Sequence, residues 1–165
     1  MEMISYWSCK RLAKSRFIKR ASDGFTLVEL MTVVAVVAVL ASLAAPSFSR
    51  LVASNNVRSA ASDLQMALLR ARSEAVSRNV DIIVEKSSTG WQDGWDVKQG
   101  SVVIESYSGL VGLSVTAGEN LVTYNSSGRA TKASTVEFKS QKYPAEVRCV
   151  SVEFSGRPLI TKAGC

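Results

Sequence analysis

The chain has 165 residues, of which 47% are hydrophobic and 21% charged, with 3 Pro and 10 Gly; that is too apolar for a disordered chain, too mixed for a low-complexity one, and short enough that one domain is the natural prior. Its 20 Lys plus Arg against 14 Asp plus Glu give a formal net charge of +6. The absence of His removes the usual general base near neutral pH and the commonest zinc ligand, and Cys9, Cys149 and Cys165 lack metal-site spacing, so neither an enzyme nor a metal or cofactor site is expected.

Charge is unevenly placed. Before Phe25 the chain carries Lys10, Arg11, Lys14, Arg16, Lys19 and Arg20 against only Glu2 and Asp23, and residues 125–165 carry seven basic and three acidic side chains. Behind the first basic block, Leu30 to Ser49 contains no charge. At ~1.5 Å per residue these positions reach about 30 Å, the thickness of a bilayer's hydrocarbon core. A buried core helix is the alternative, but a small soluble domain rarely needs a helix that is apolar on every face. The basic block then keeps the N-terminus cytoplasmic and sends the C-terminal part across. A cleavable secretion signal with a cut at the small residues Ala41 to Ala45 is a further alternative, yet it does not require Glu29 at the head of the span.

Pro46 has no amide hydrogen and clashes with the carbonyl four residues back, which predicts a kink or a locally melted turn over Ser42–Pro46. Beyond it, Val57, Ala61, Leu64, Leu68, Ala71 and Ala75 recur at steps of three and four, with Arg58, Asp63, Arg70, Arg72, Glu74 and Arg78 on the remaining positions. This period marks an amphipathic helix ending near Arg78. Afterwards the period falls to two. Val80–Val84, Trp95–Val97, Val102–Tyr107, Leu121–Tyr124, Val136–Lys139 and Val147–Phe154 read as strands, and Asn125-Ser126-Ser127-Gly128 as a turn. The expected fold is α+β: one long N-terminal helix, half membrane segment and half amphipathic, packed on an antiparallel β-sheet.

Gly24-Phe25-Thr26-Leu27-Val28-Glu29, then the apolar run and Pro46, resembles the prepilin signature of type IV pilins and type II secretion pseudopilins. Counted from Phe25, Glu29 is fifth and Pro46 twenty-second. Arg58-Ser59-Ala60-Ala61, Ala71-Arg72-Ser73-Glu74-Ala75, the Gly-Trp pair at Trp95 and the segments Ser127-Gly128-Arg129-Ala130 and Ser155-Gly156-Arg157 are similar to the GspH/FimT family of minor pilins and pseudopilins. The resemblance implies four parts: a leader over residues 1–24, a transmembrane and assembly helix over 25–49, its amphipathic continuation over 50–78, and a β-rich globular part over 79–165. It also implies that a prepilin peptidase cuts between Gly24 and Phe25 and methylates the new amine of Phe25. Glu29 would then pair with that amine on an adjacent subunit; a plain headgroup-boundary position is the other reading of this carboxylate.

After such processing Cys149 and Cys165 are the remaining cysteines, and an oxidising compartment favours their pairing over two free thiols. Trp91 and Trp95 read as core rather than as a base-stacking pair. Some FimT-type members bind DNA through a C-terminal Gly-Arg-x-Arg motif; here Gly156-Arg157-Pro158-Leu159 keeps only the first Arg, with Arg129, Lys132 and Lys162 as further candidate phosphate contacts. The function expected is that of a minor type IV pilin in pilus initiation or the tip complex, held in the bacterial inner membrane with its C-terminal part in the periplasm and then incorporated into an extracellular pilus. Its expected partners are other minor and major pilins, the prepilin peptidase and the pilus assembly platform. DNA uptake in natural transformation and a minor pseudopilin role in type II secretion are the alternatives.

Overall fold

The computed structural model describes residues 24–165; the basic block, Cys9 and the expected leader as far as Asp23 lie outside the described residues. The chain divides into two compact units, the first ending at Leu40 and the second covering Ala41–Cys165.

Helix α1, Leu27–Arg78, begins in the first unit. Thr26 caps it: its Oγ1 accepts the Glu29 amide at 3.2 Å, and its carbonyl accepts the Leu30 amide at 3.1 Å. A threonine before the first turn with Glu three residues later is the sequence signature of a helix start. Every side chain from Gly24 to Leu40 is exposed in the single chain. A segment apolar on all sides has no inward face to hide, so lipid or other helices must cover it.

In the second unit α1 continues through Pro46 without interruption, so the melted turn expected over Ser42–Pro46 is absent. The Ser49 hydroxyl donates back toward the carbonyls of Ala45 and Pro46 at 3.2 and 3.1 Å, bonds that support this turn. From Val57 onward the helix buries Val57, Ala60, Ala61, Leu64, Ala67, Leu68, Ala71 and Ala75. Five alanines in this face let strands approach closely, while Leu64 and Leu68 supply the larger knobs.

Where the period-two segments indicate one sheet, the structure has two four-stranded antiparallel sheets. The first contains β1 (Ile82–Lys86), β2 (Gly94–Gln99), β3 (Val102–Ser108) and β5 (Leu121–Tyr124) in the order β3-β2-β1-β5; the second contains β4 (Leu113–Ala117), β6 (Ser134–Ser140), β7 (Val147–Val152) and β8 (Pro158–Thr161) in the order β4-β6-β7-β8. Strand β6 alternates cleanly, with Ser134, Val136, Phe138 and Ser140 turned inward. Both edge strands of the second sheet escaped the pattern reading. β4 is a short run between Gly112 and Gly118, and β8 opens on Pro158, tolerated because an edge strand's first residue need not donate to a ladder.

The two sheets and the buried face of α1 share one core containing Ile82, Val84, Val97, Tyr124, Phe138 and Val150. Trp91 and Trp95, each 3% exposed, belong to it and present no free face for a base. Trp95 stacks on Tyr107 at 5.8 Å between centroids, and the Trp91 indole N–H donates to the Glu119 carbonyl at 3.0 Å.

Tyr124 is fully buried and its hydroxyl has no hydrogen-bond partner among the described residues. Burial pushes its phenol up to about 12, opposed by the Arg72 guanidinium. Because the folded value is raised, the stabilising effect is complete below the unfolded value near ~10 and disappears as pH rises toward 12. A shift of this size corresponds to about 3 kcal/mol. Denaturation midpoints between pH 9 and 11.5 are expected to fall steeply for the parent and to lose that component in Tyr124→Phe; equal slopes would show that the phenol ionises freely in the folded state.

Candidate functional site

The N-terminal constellation begins at Gly24 and Phe25, which precede the helix; Phe25 is 76% exposed. Thr26 caps the first turn, and Glu29 sits within that turn as its acidic residue. A carboxylate at this position meets the positive end of the helix dipole, so the helix itself offers Glu29 an electrostatic reason to be there. Thr26 is the part of this constellation that the charge-and-span reading missed, although Thr-x-x-Glu was legible as a capping pattern.

Further along, residues 49–54 are tied to the β6–β7 connection. Tyr143 Oη lies 2.8 Å from the Ser49 hydroxyl, and Glu146 accepts from Ser54 Oγ at 2.9 Å and Arg50 Nε at 3.0 Å. The Ser54 hydroxyl and then the Arg50 guanidinium hold the Glu146 carboxyl below the usual carboxylate range. Helix and sheet connection are thus fixed together close to the point where the apolar run ends.

Cys149, on β7, and Cys165, the final residue, are disulfide-bonded with a Cα–Cα distance of 5.2 Å. The Cys165 amide also donates to Glu137 Oε2 at 2.9 Å, so two independent attachments hold the chain end beside the second sheet. Cys149 is buried. Thiol labelling of the denatured, unreduced protein from an oxidising compartment is expected to modify neither residue, and stoichiometric labelling of both would contradict the bond.

The cations named as candidate phosphate contacts do not form one cluster. Lys132 is taken up in an ion pair with Glu119 at 2.5 Å. Arg129 and Arg157 are brought together by their turns: the Gly156 backbone lies against the Gly128 carbonyl and the Arg129 Cα, and Gly128 in turn lies against Val76 and Arg72 of α1. Gly128 and Gly156 have φ of 71° and 77°, the left-handed conformation that glycine adopts without a Cβ penalty. Asn125 organises the first of these turns, its Oδ1 accepting the amides of Ser127 and Arg129 at 3.1 and 3.0 Å. Lys162 stands elsewhere, lining a cleft of about 330 Å³ with Arg58, Ser62, Arg148 and Ile160. Arg58 and Arg72 are separated by about 21 Å along the helix at ~1.5 Å per residue, so the two cationic groups are distinct. Among the described residues no group of three or more His, Cys, Asp or Glu could hold a metal ion.

Comparison with known proteins agrees with both ends of this description. The prokaryotic N-terminal methylation motif matches residues 19–45, and the family described as Type II transport protein GspH matches residues 60–156. The crystal structure of the type IV minor pilin FimU of Pseudomonas aeruginosa PAO1 superposes with a TM-score of 0.58 at 22% identity, over 65% of this chain and 89% of that one. The minor pseudopilin EpsH from the type 2 secretion system of Vibrio cholerae superposes with a TM-score of 0.53 at 16% identity, over 65% of this chain and 97% of that one. Such identities speak for a common fold, and the family match spans more than half of the sequence. With its methylation motif, long apolar helix and paired antiparallel sheets, the chain belongs to the GspH family of minor pilins and pseudopilins.

Proposed function

We propose that this chain is a minor type IV pilin, a structural subunit that enters the initiation or tip complex of a pilus. The observation that carries the reading is the exposed apolar helix start, with Glu29 in its first turn directly behind Gly24 and Phe25. Among the described residues nothing covers this surface, and a carboxylate close to hydrocarbon needs a charge partner. An adjacent subunit supplies both needs at once: apolar helix for the surface and the amine of its Phe25 for Glu29. Residues 1–24 then act as a leader removed by a prepilin peptidase that methylates Phe25, residues 25–49 as the membrane and assembly segment, and residues 50–165 as the part exported to the periplasm. Pro46 and the terminal cysteine pair resemble the pilus branch of the family more than the secretion branch.

A second reading has an observation of its own. The packing of Gly156 on Gly128 and Arg129 places Arg129 beside Arg157, with Arg72 flanking Gly128, an arrangement suited to phosphate contacts on DNA. Leu159 in place of a second motif arginine argues against it.

Intact-mass measurement on membrane and sheared-pilus fractions tests the main reading, the expected species being a chain that starts at methylated Phe25 and is present in both. A predominant species starting at Met1, or after the Ala41–Ala45 stretch, would overturn it. Deletion of the gene is expected to reduce piliation and leave secretion intact. Loss of secretion alone would assign the chain to the secretion branch, and loss of transformation with normal piliation would favour DNA reception.

A further inference from the structure

The cleft that holds Lys162 has a composition unlike the rest of the surface. It is walled by Arg58 from α1, Arg148 from β7 and Lys162 from the segment after β8, with the Ser62 hydroxyl and the Ile160 side chain completing it. No carboxylate lines it, and none of its three cations forms an ion pair among the described residues. Nearby acids are already engaged: Glu137 accepts the Cys165 amide, and Glu146, whose carboxyl also feels the Arg148 charge without an ion pair to it, accepts from Ser54 and Arg50. Arg148 makes one short bond, from Nη1 to the Val147 carbonyl at 2.7 Å, and no side-chain acceptor among the described residues takes the rest of its donor fork. Three like charges held around one cleft repel each other, and an anion seated between them removes that cost.

The cleft's form favours a carboxylate over a polynucleotide. At about 330 Å³ it has room for one side chain and its flanks, with Ile160 as an apolar contact for a methylene stem. A nucleic acid instead needs cations along a track; of the other candidate cations, Arg129 follows the turn that lies against Arg72, about 21 Å from Arg58 along α1, and Lys132 is paired with Glu119. Guanidinium forks match a carboxylate in a bidentate manner. At the start of β8, the outer strand of its sheet, Gln65 of α1 donates to the Pro158 carbonyl at 3.3 Å.

We propose that this cleft seats an aspartate or glutamate side chain of a neighbouring pilin subunit, and that the Cys149–Cys165 bond holds Lys162 in position for it. Cys149 follows Arg148 directly, and Cys165 lies three residues beyond Lys162, so the bond closes the segment that carries the third cation onto the strand that carries the second. The proposal rests on the assembly reading above.

Carbodiimide coupling tests it, applied to membranes of cells that make the full chain together with its partner pilins, because the reagent joins an amine only to a carboxylate in direct contact. Peptide mapping is expected to find Lys162 joined to an Asp or Glu of another pilin. The adduct is expected to disappear in Lys162→Arg, which keeps the charge and continues to co-purify with the partners, and to fall in Cys165→Ser. Arg58→Glu and Arg148→Glu are expected to lose co-purification while retaining the disulfide, which reports that they are folded. Three results would overturn the proposal: coupling of Lys162 only to carboxylates of its own chain, normal co-purification of both charge reversals, or a Lys162 that becomes reactive only after nuclease treatment. If the parent chain co-purifies with no pilin at all, the assembly reading itself fails, and this proposal with it.

Discussion

Cells carrying Glu29→Ala are expected to accumulate the processed chain in the membrane and to recover almost none of it with partner pilins. The substitution cannot hinder insertion, since it replaces a charged group at the head of the span by a small apolar one. Nor does it remove the helix cap, because Thr26 accepts the backbone amide of residue 29, which alanine retains. What is lost is the negative charge alone. Truncating one partner of a desolvated ion pair costs about 2–5 kcal/mol, enough to lower recovery by roughly tenfold or more. Glu29→Gln, which preserves shape without charge, is expected to fail in the same way. Recovery at the parent level from both variants would show that the carboxylate serves only the helix terminus.

Gly156→Ala is expected to destabilise the fold strongly. Residue 156 has φ 77°, and a Cβ there would overlap the Gly128 carbonyl oxygen and stand 3.2 Å from the Arg129 Cα. The left-handed conformation costs a residue with a Cβ about 1–2 kcal/mol, and forcing backbone apart in a packed contact adds about 1–3 kcal/mol, for a sum of roughly 2–5 kcal/mol. Gly100→Ala is the matched control. Its φ is 59°, yet nothing lies within 4 Å of the added methyl, so only the conformational cost of about 1–2 kcal/mol applies. The urea midpoint of the detergent-solubilised full chain separates the two, and equal shifts would show that the Gly128 turn moves aside freely. Under the DNA reading Gly156→Ala has a second consequence, because it separates the turns that bring Arg129 and Arg157 together.

Much of the architecture was legible because it is written in local periodicity. The six positions read as the helix's apolar face, from Val57 to Ala75, are all buried, and the helix ends at Arg78 where the three-four spacing stops. The two buried positions not read, Ala60 and Ala67, lie beside that stripe and widen it. β5 occupies the four residues that alternation marked, and β6 extends one or two residues beyond its predicted ends at Ser134 and Ser140, where serine replaces the hydrophobic signal while keeping the inward orientation.

The sequence by itself determined the features whose cause lies within a few residues: the uncharged span, the prepilin-like start, the amphipathic continuation and most of the strands. Tertiary structure alone decided how those strands divide into two sheets, that Gly-bounded β4 and Pro-led β8 add edges to one of them, and that the turn containing Pro46 remains helical. It also decided the fate of the basic final quarter. Seven cations close together in sequence are separated by strand pairing, so that Lys132 meets Glu119, the turn before Arg157 packs on the turn of Arg129, and Lys162 joins Arg148 and the distant Arg58. Side-chain period reports which face of an element is buried, but not which element will lie against it; that choice rests on long-range pairing and packing, which no local pattern encodes.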